Sequence, residues 1–392
     1  MKNTECFFAF FIVLAASVGS LGQQPGPQFF RIESSNEVVC TGMTADGQLS
    51  WSNQVADSLV HVEVADDLAA DSRWRTYTHV LSTGHVGSVR LYHPGTPEGF
   101  SFIPAGTFMM GSPTNELGRN PDEDQHQVTL TRDFYMQRME VTNRQMADVL
   151  NWALGQGGRI SVTSATVRNT EGIQRELLDL DYSYCQISWD GVQLVVDAGK
   201  DEYPCIVVSW FGAQAYCNYL SDMEGHGRAI VFSDWSMDLG AAGYRLPTES
   251  EWEYACRAST ATAFYTGGIS YTGFSPLDPN LDTAGWYYGN STNPDNPISS
   301  GKGTHRVGQK QANAWGLFDM HGNVREWCWD GYGPYPGTVT DPTGSGSGVQ
   351  RVSRSGSWYS AARFCRSAAR GLHSPLAHPY YLGFRPVRSA VP

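Results

Sequence analysis

The chain has 392 residues, rich in glycine (42) and proline (20), with 12% aromatic and only 17% charged residues. That mix excludes a helical bundle and suits a loop-rich fold built around buried rings. A net charge of −12 with no basic run excludes phosphate-backbone binding, so no nucleic-acid partner is expected.

In chain order, residues 1–22 read as a signal peptide. Lys2 supplies the positive start, Phe7–Ala16 is a short apolar run, and Ser20-Leu21-Gly22 offers small residues for cleavage. The run is too short to span a bilayer, and nothing later approaches that length. The mature chain is expected to begin near Gln23 and to be secreted, to the periplasm or the extracellular space. Residues 23–95 predict a small all-β domain. Its strands are expected at Phe29–Glu33, Gly47–Asn53, Leu59–Val64, Arg73–Val80 and Ser88–His93, spaced as in a fibronectin-like sandwich. His93-Pro94-Gly95-Thr96-Pro97 is a natural linker.

Residues 96–392 form the main domain. Thr142 predicts a helix start running to about Trp152, and Ser209 or Trp210 another running to Leu220. Thr248-Glu249-Ser250-Glu251 fits a capping box, with Glu251 reaching back to the first residue. Residues 155–204 look like an insertion, polar except for strand-like residues at Gln193–Val196.

Export makes the cysteines informative. Without Cys6, seven remain: 40, 185, 205, 217, 256, 328 and 365. Seven is odd, so one thiol is free or pairs with another chain, which admits self-association into an extracellular homopolymer. The other reading is buried small hydrophobes. No C-x-x-C or His-rich spacing points to zinc.

The densest signatures lie near the C-terminus: GLFDMHGNVREW at 316–327, RVSRSGSW at 351–358, CRSAAR at 365–370 and LGFRP at 382–386. Earlier come FSFIPAGTFMMGSP at 100–113, RMEVTNRQMADVL at 138–150, VVSWFGAQAYCNYL at 207–220 and YRLPTESEWEYACR at 244–257. Together they resemble the formylglycine-generating enzyme, or sulfatase-modifying factor, family. The resemblance implies an α+β, C-type-lectin-like fold. Active members hold two cysteines shortly after the GSW turn, which bind copper(I) and activate oxygen. Counted forward from Gly356-Ser357-Trp358, Ser360 stands at the first reactive position and only Cys365 at the second; counted back from Ala368-Ala369-Arg370, about three residues are deleted and neither position survives. A hydroxyl is a hard, weak donor where copper(I) wants two thiolates, so copper is not expected. Cys217 and Cys256 resemble bridge-forming positions whose usual partners are replaced by Arg370 and Pro386. A Cys256–Cys365 bridge and unpaired thiols both stay open.

The resemblance also implies a structural calcium ion, held by the Asp319 and Glu326 side chains and the Gly322 and Val324 carbonyls. Oxygen donors on a tight turn suit that ion. In relatives the segment 359–381 lines the substrate groove, and variable proteins of the same fold bind partners with it. The expected contact residues are Tyr359, Ser360, Phe364, His373, His378, Tyr380 and Tyr381. The reading is a non-catalytic binding or structural module, its partner an extracellular protein or glycan. The alternative is a formylglycine-generating-type oxidoreductase acting on a protein cysteine or serine through Cys365.

Overall fold

In the computed structural model, residues 96–345 and 349–390 are described throughout. Before them are described the backbones of Cys6–Phe8, Phe29–Ser34, Val38–Met43, Gln48–Asn53, Ser58–Ala65, Arg75–Ser82 and Val86–Arg90. The chain divides into two compact units, Met1–Thr96 and Pro97–Pro392.

The strands of the first unit pair into two antiparallel sheets. One orders Cys6–Phe8, Phe29–Ser34, Ser58–Ala65 and Arg75–Ser82. The other orders Val38–Met43, Gln48–Asn53 and Val86–Arg90. Val38–Met43 lies outside the sequence-based strand set, and Cys6–Phe8 falls inside the expected leader.

The second unit is mixed α/β and loop-rich. Phe134–Gln137 is the hub of one sheet, pairing antiparallel with both Phe100–Ile103 and the near-terminal Val387–Ser389. One helix packs on this sheet through its Tyr244–Arg245 strand, and a second packs on the first. Helix α1 (Asn143–Gly155) starts at Thr142, whose hydroxyl accepts from the Gln145 N–H while the Gln145 side chain reaches back. Helix α2 (Trp210–Met223) is capped by Ser209 and is buried on nearly every side. A β-carbon on Gly212 would collide with the Leu177 carbonyl, so α2 presses on that strand where only glycine fits.

The segment 155–204, expected to be an insertion, contains two small sheets. Ile160–Val162, Thr166–Asn169 and Glu176–Asp179 form one, and Ile187–Trp189 pairs with Leu194–Val196 in the other. Helix α3 (Glu249–Arg257) carries the full capping box, Thr248 accepting from the Glu251 N–H and Glu251 from the Thr248 N–H. Trp210, Trp252, Trp327 and Trp358 are fully buried. Removing each indole from water contributes on the order of 5 kcal/mol before entropic costs. A further sheet matters for the site, ordered Gly371–His373, Arg351–Arg354, Arg325–Gly331 and Leu382–Gly383. It fixes both ends of the C-terminal loop.

Candidate functional site

The GSW turn fixes the start of that loop. Ser355 and Gly356 both have positive φ, +79° each. Trp358 donates its N–H to the Asn323 carbonyl at 2.8 Å, and Ser291 Oγ donates to the Trp358 carbonyl at 2.7 Å. The following residues turn back through a short 3-10 helix, Ala362–Cys365.

Ser360 and Cys365, the residues expected at the reactive positions, have different surroundings. Ser360 is half-buried, its hydroxyl 3.0 Å from that of Ser357. Cys365 is fully buried, and burial pushes its thiol up to about 12 despite nearby Arg325 and Arg366. Its sulfur faces the Ala361 carbonyl at 3.9 Å. The Cys256–Cys365 bridge is not formed: all six cysteines whose side chains are described are free thiols. Cys256 Sγ lies instead against the His321 ring and 3.7 Å from Ser367 Oγ. Cys40 lies outside the residues whose side chains are described.

The arginines of CRSAAR and LGFRP build the scaffold under the loop. Arg366 sits on Glu116 and Glu123, each at 2.7 Å. Arg370, expected in the place of a bridging cysteine, grips both oxygens of Glu249 at 2.7 and 2.8 Å. Arg354 bonds Glu249 and Glu253. Breaking such buried pairs by removing one partner costs about 3–5 kcal/mol.

Asp319, Gly322, Val324 and Glu326 share one turn and the strand after it, but their groups are unequally free. Glu326 accepts from Arg385 Nη2 and Nε and from Trp252 Nε1, all at 2.7 Å. The Gly322 carbonyl faces Ser355 Oγ at 3.1 Å. Asp319 Oδ2 accepts from the Gly308 N–H at 2.7 Å, while its buried Oδ1 has no hydrogen-bond partner. Glu140, missed in the sequence, accepts from the Asn323 amide and the Val324 N–H. Burial first, then the charges of Asp319 and Glu326, raise the Glu140 carboxyl well above its usual range, with Arg385 opposing them. Burial likewise lifts Asp319 to about 6. Three buried carboxylates thus share one guanidinium, and an unbonded oxygen faces that excess charge. The donor set fits a hard cation at Asp319 Oδ1. At Glu326 the ion would share oxygens already engaged by Arg385.

The expected contact residues are brought together in part. Tyr380 is the centre: its ring lies 6.1 Å from Tyr359, 5.4 Å from Tyr381 and 5.9 Å from Trp358. Tyr381 continues to His373 at 5.9 Å. Tyr359 is 44% exposed and Tyr380, Tyr381 and His373 are half-buried, while Trp358 is fully buried, so the tyrosines and His373 form a surface belt. Phe364 lies apart, under the Arg363 guanidinium. His378 faces Glu176 instead of the belt. Sequence reasoning missed half of the belt. Tyr182 and Tyr184 of the insertion pack on Tyr380 at 6.3 and 5.3 Å, and Tyr288 lies 5.9 Å from Tyr359, backed by Phe274. The Tyr-Ser-Tyr spacing at 182–184 was the available signal. A cavity of about 510 Å³ lies elsewhere, between Glu249, Asp330, Tyr335 and Arg370, and takes none of the expected residues.

Residues 92–390 match the sulfatase-modifying factor enzyme 1-like domain. The chain belongs to this family. The formylglycine-generating enzyme of Bos taurus is 27% identical over 324 residues, covering 76% of this chain and 77% of that protein. The serine/threonine-protein kinase pkn1 of Chlamydia caviae is 28% identical over 290 residues, covering 72% of this chain but only 37% of the kinase. Among solved structures, Treponema denticola variable protein 1 shares the fold with a TM-score of 0.52 at 24% identity, covering 74% of this chain and 94% of that one. Among the described residues no helix is long and apolar enough to cross a membrane.

Proposed function

We propose that this chain is an exported recognition protein of the sulfatase-modifying factor family that lacks the oxidase chemistry. One observation carries the reading. Where the enzymes need two reactive thiols, this chain has a half-buried serine and a fully buried thiol, while Tyr359, Tyr380 and Tyr381 join Tyr182 and Tyr184 in a surface belt. Fold does not dictate activity, and the family domain also recurs inside a protein named as a kinase.

The belt favours a protein partner. Tyrosines give rigid contact area with polar tips at low entropic cost. The exposed Asp181 lies beside Tyr182 of the belt, suiting a partner surface with Lys or Arg side chains. In this reading the two-sheet first unit is a fibronectin-like module, and a calcium ion on Asp319 stiffens the scaffold. The oxidoreductase alternative gains nothing from a thiol that is buried and protonated.

Screening the purified chain on arrays of extracellular proteins and glycans tests this. Tyr182→Ala, Tyr359→Ala and Tyr380→Ala should leave the Tm nearly unchanged and weaken capture of the same protein, with a few rings dominating. Binding to glycans alone would overturn the choice of partner. Unfolding of the variants would show the rings to be core, where truncation costs roughly 3–5 kcal/mol.

A further inference from the structure

We infer that Glu176, Asp179 and His378 form a binding site for a divalent first-row transition ion, tying the C-terminal loop to the insertion. The three offer ligand atoms within 4.8 Å of one another, the one such trio among the described residues. Two of them come from one short strand, the third from some 200 positions later, so no sequence spacing betrays the site.

The strand is built to present both carboxylates together. Positions 176 and 179 of a regular strand face opposite sides. Here the pairing runs Val167 with Leu178 and then Arg168 with Glu176, so the register skips Leu177. This bulge turns Leu177 and Leu178 both into the core and leaves Glu176 and Asp179 both outside it. The segment Val207–Trp210 then holds the strand and the loop in one frame. Asp179 donates its N–H to the Val207 carbonyl at 3.3 Å and Ser209 Oγ donates to the Glu176 carbonyl at 2.6 Å. On the other side, Val207 and Trp210 donate their N–H groups to the Pro379 and Pro375 carbonyls at 3.4 and 3.1 Å.

A second observation points to an ion in the middle. His378 Nε2 is buried and has no hydrogen-bond partner, yet it lies 3.7 Å from Glu176 Oε1. That gap is too long for a hydrogen bond. It is what two ligands show when each lies about 2.1 Å from a shared ion at an open tetrahedral angle. Competing partners leave ligand oxygens free. Arg168 meets Glu176 through the other oxygen, Oε2, at 3.4 Å, and the Asp181 N–H donates to one oxygen of Asp179. One imidazole with two carboxylates suits zinc, manganese or cobalt more than calcium or magnesium, which prefer oxygen alone. This assignment stands independently of the tyrosine belt's partner.

Zinc titration of the metal-stripped full chain by calorimetry, in excess calcium to occupy oxygen-only sites, tests it. One equivalent should bind and raise the Tm. His378→Gln and Asp179→Asn should each weaken zinc at least about tenfold, since even outer-shell losses cost that much. Arg168→Gln should leave it unchanged or tighter. All four proteins are compared by Tm in chelator, where equal stability shows that the fold is kept. The inference is overturned if no zinc binds, or if a folded His378→Gln/Asp179→Asn double variant binds as well as the parent. Should the double variant not fold, visible bands of the cobalt-loaded parent decide: their absence overturns the site.

Discussion

Gly356 lies directly against Cys365. A β-carbon on Gly356 would stand 2.5 Å from the Cys365 sulfur and 2.8 Å from the Phe364 carbonyl, and its φ of +79° favours glycine independently. Cys365, expected at one position of the family's reactive pair, is therefore a packing element, wedged under the turn that precedes it. Gly356→Ala should destabilise by roughly 2–5 kcal/mol, combining left-handed strain with overpacking. Adding Cys365→Ala should recover part of that, because the carbonyl clash stays. Denaturant unfolding of the three variants checks this; full additivity would mean the two residues do not meet.

The same packing governs reactivity. A thiol held near 12 by burial is about one part in ten thousand thiolate at pH 8, and only the thiolate attacks. Under native conditions Cys365 should resist iodoacetamide, and in denaturant it should label fully, as read by peptide mass. Copper(I), oxygen and a sulfatase-type cysteine peptide should yield no aldehyde. Aldehyde formation that disappears in Cys365→Ser would remove the basis of the non-catalytic reading.

What was legible in the sequence was local. Thr142, Ser209 and Thr248 cap the helices they announced, because a cap is decided within four residues. The family motifs announced the fold, and the arginines of CRSAAR and LGFRP turn out to be buried ion-pair partners. The rest depended on long-range register. Tyr182 and Tyr184 meet Tyr380 only because the insertion folds back against the C-terminal loop. Cys256 and Cys365 looked pairable, yet the fold gives Cys256 to His321 and Ser367. The His321 ring, with its Nδ1 bonded to the Cys365 carbonyl at 2.8 Å, reaches from the 319–326 turn to the cysteine segment.

Calcium should act through Asp319 more than through Glu326. Asp319 Oδ1 is the buried oxygen without a partner, whereas Glu326 is spent on Arg385 and Trp252. Ion binding to the native state alone adds about 2.7 kcal/mol at a hundredfold excess over Kd. A chelator should lower the Tm, and Asp319→Asn should abolish that response at modest cost. Glu326→Ala should destabilise with or without chelator, because it strands Arg385. Equal melting of the parent with and without chelator would exclude a stabilising ion.

Asp330 should make the domain less stable as pH rises. It is buried, and burial together with the neighbouring Glu249 charge lifts its carboxyl to about 8, although the Glu249 N–H donates to Oδ2 at 2.7 Å. In the unfolded chain it titrates near the ordinary aspartate value of about 3.9. A carboxyl raised in this way favours the fold while protonated. Its contribution is full below pH 4 and is lost as pH climbs through about 8. The loss is a few kcal/mol, reduced by whatever water reaches the adjoining cavity. Asp330→Asn keeps the acceptor for the Glu249 N–H and cannot ionise. It should match the parent near pH 4, exceed it at pH 8–9, and flatten the pH dependence of the Tm between them. If parent and variant instead lose stability in parallel from pH 5 to 9, Asp330 is not the group that titrates.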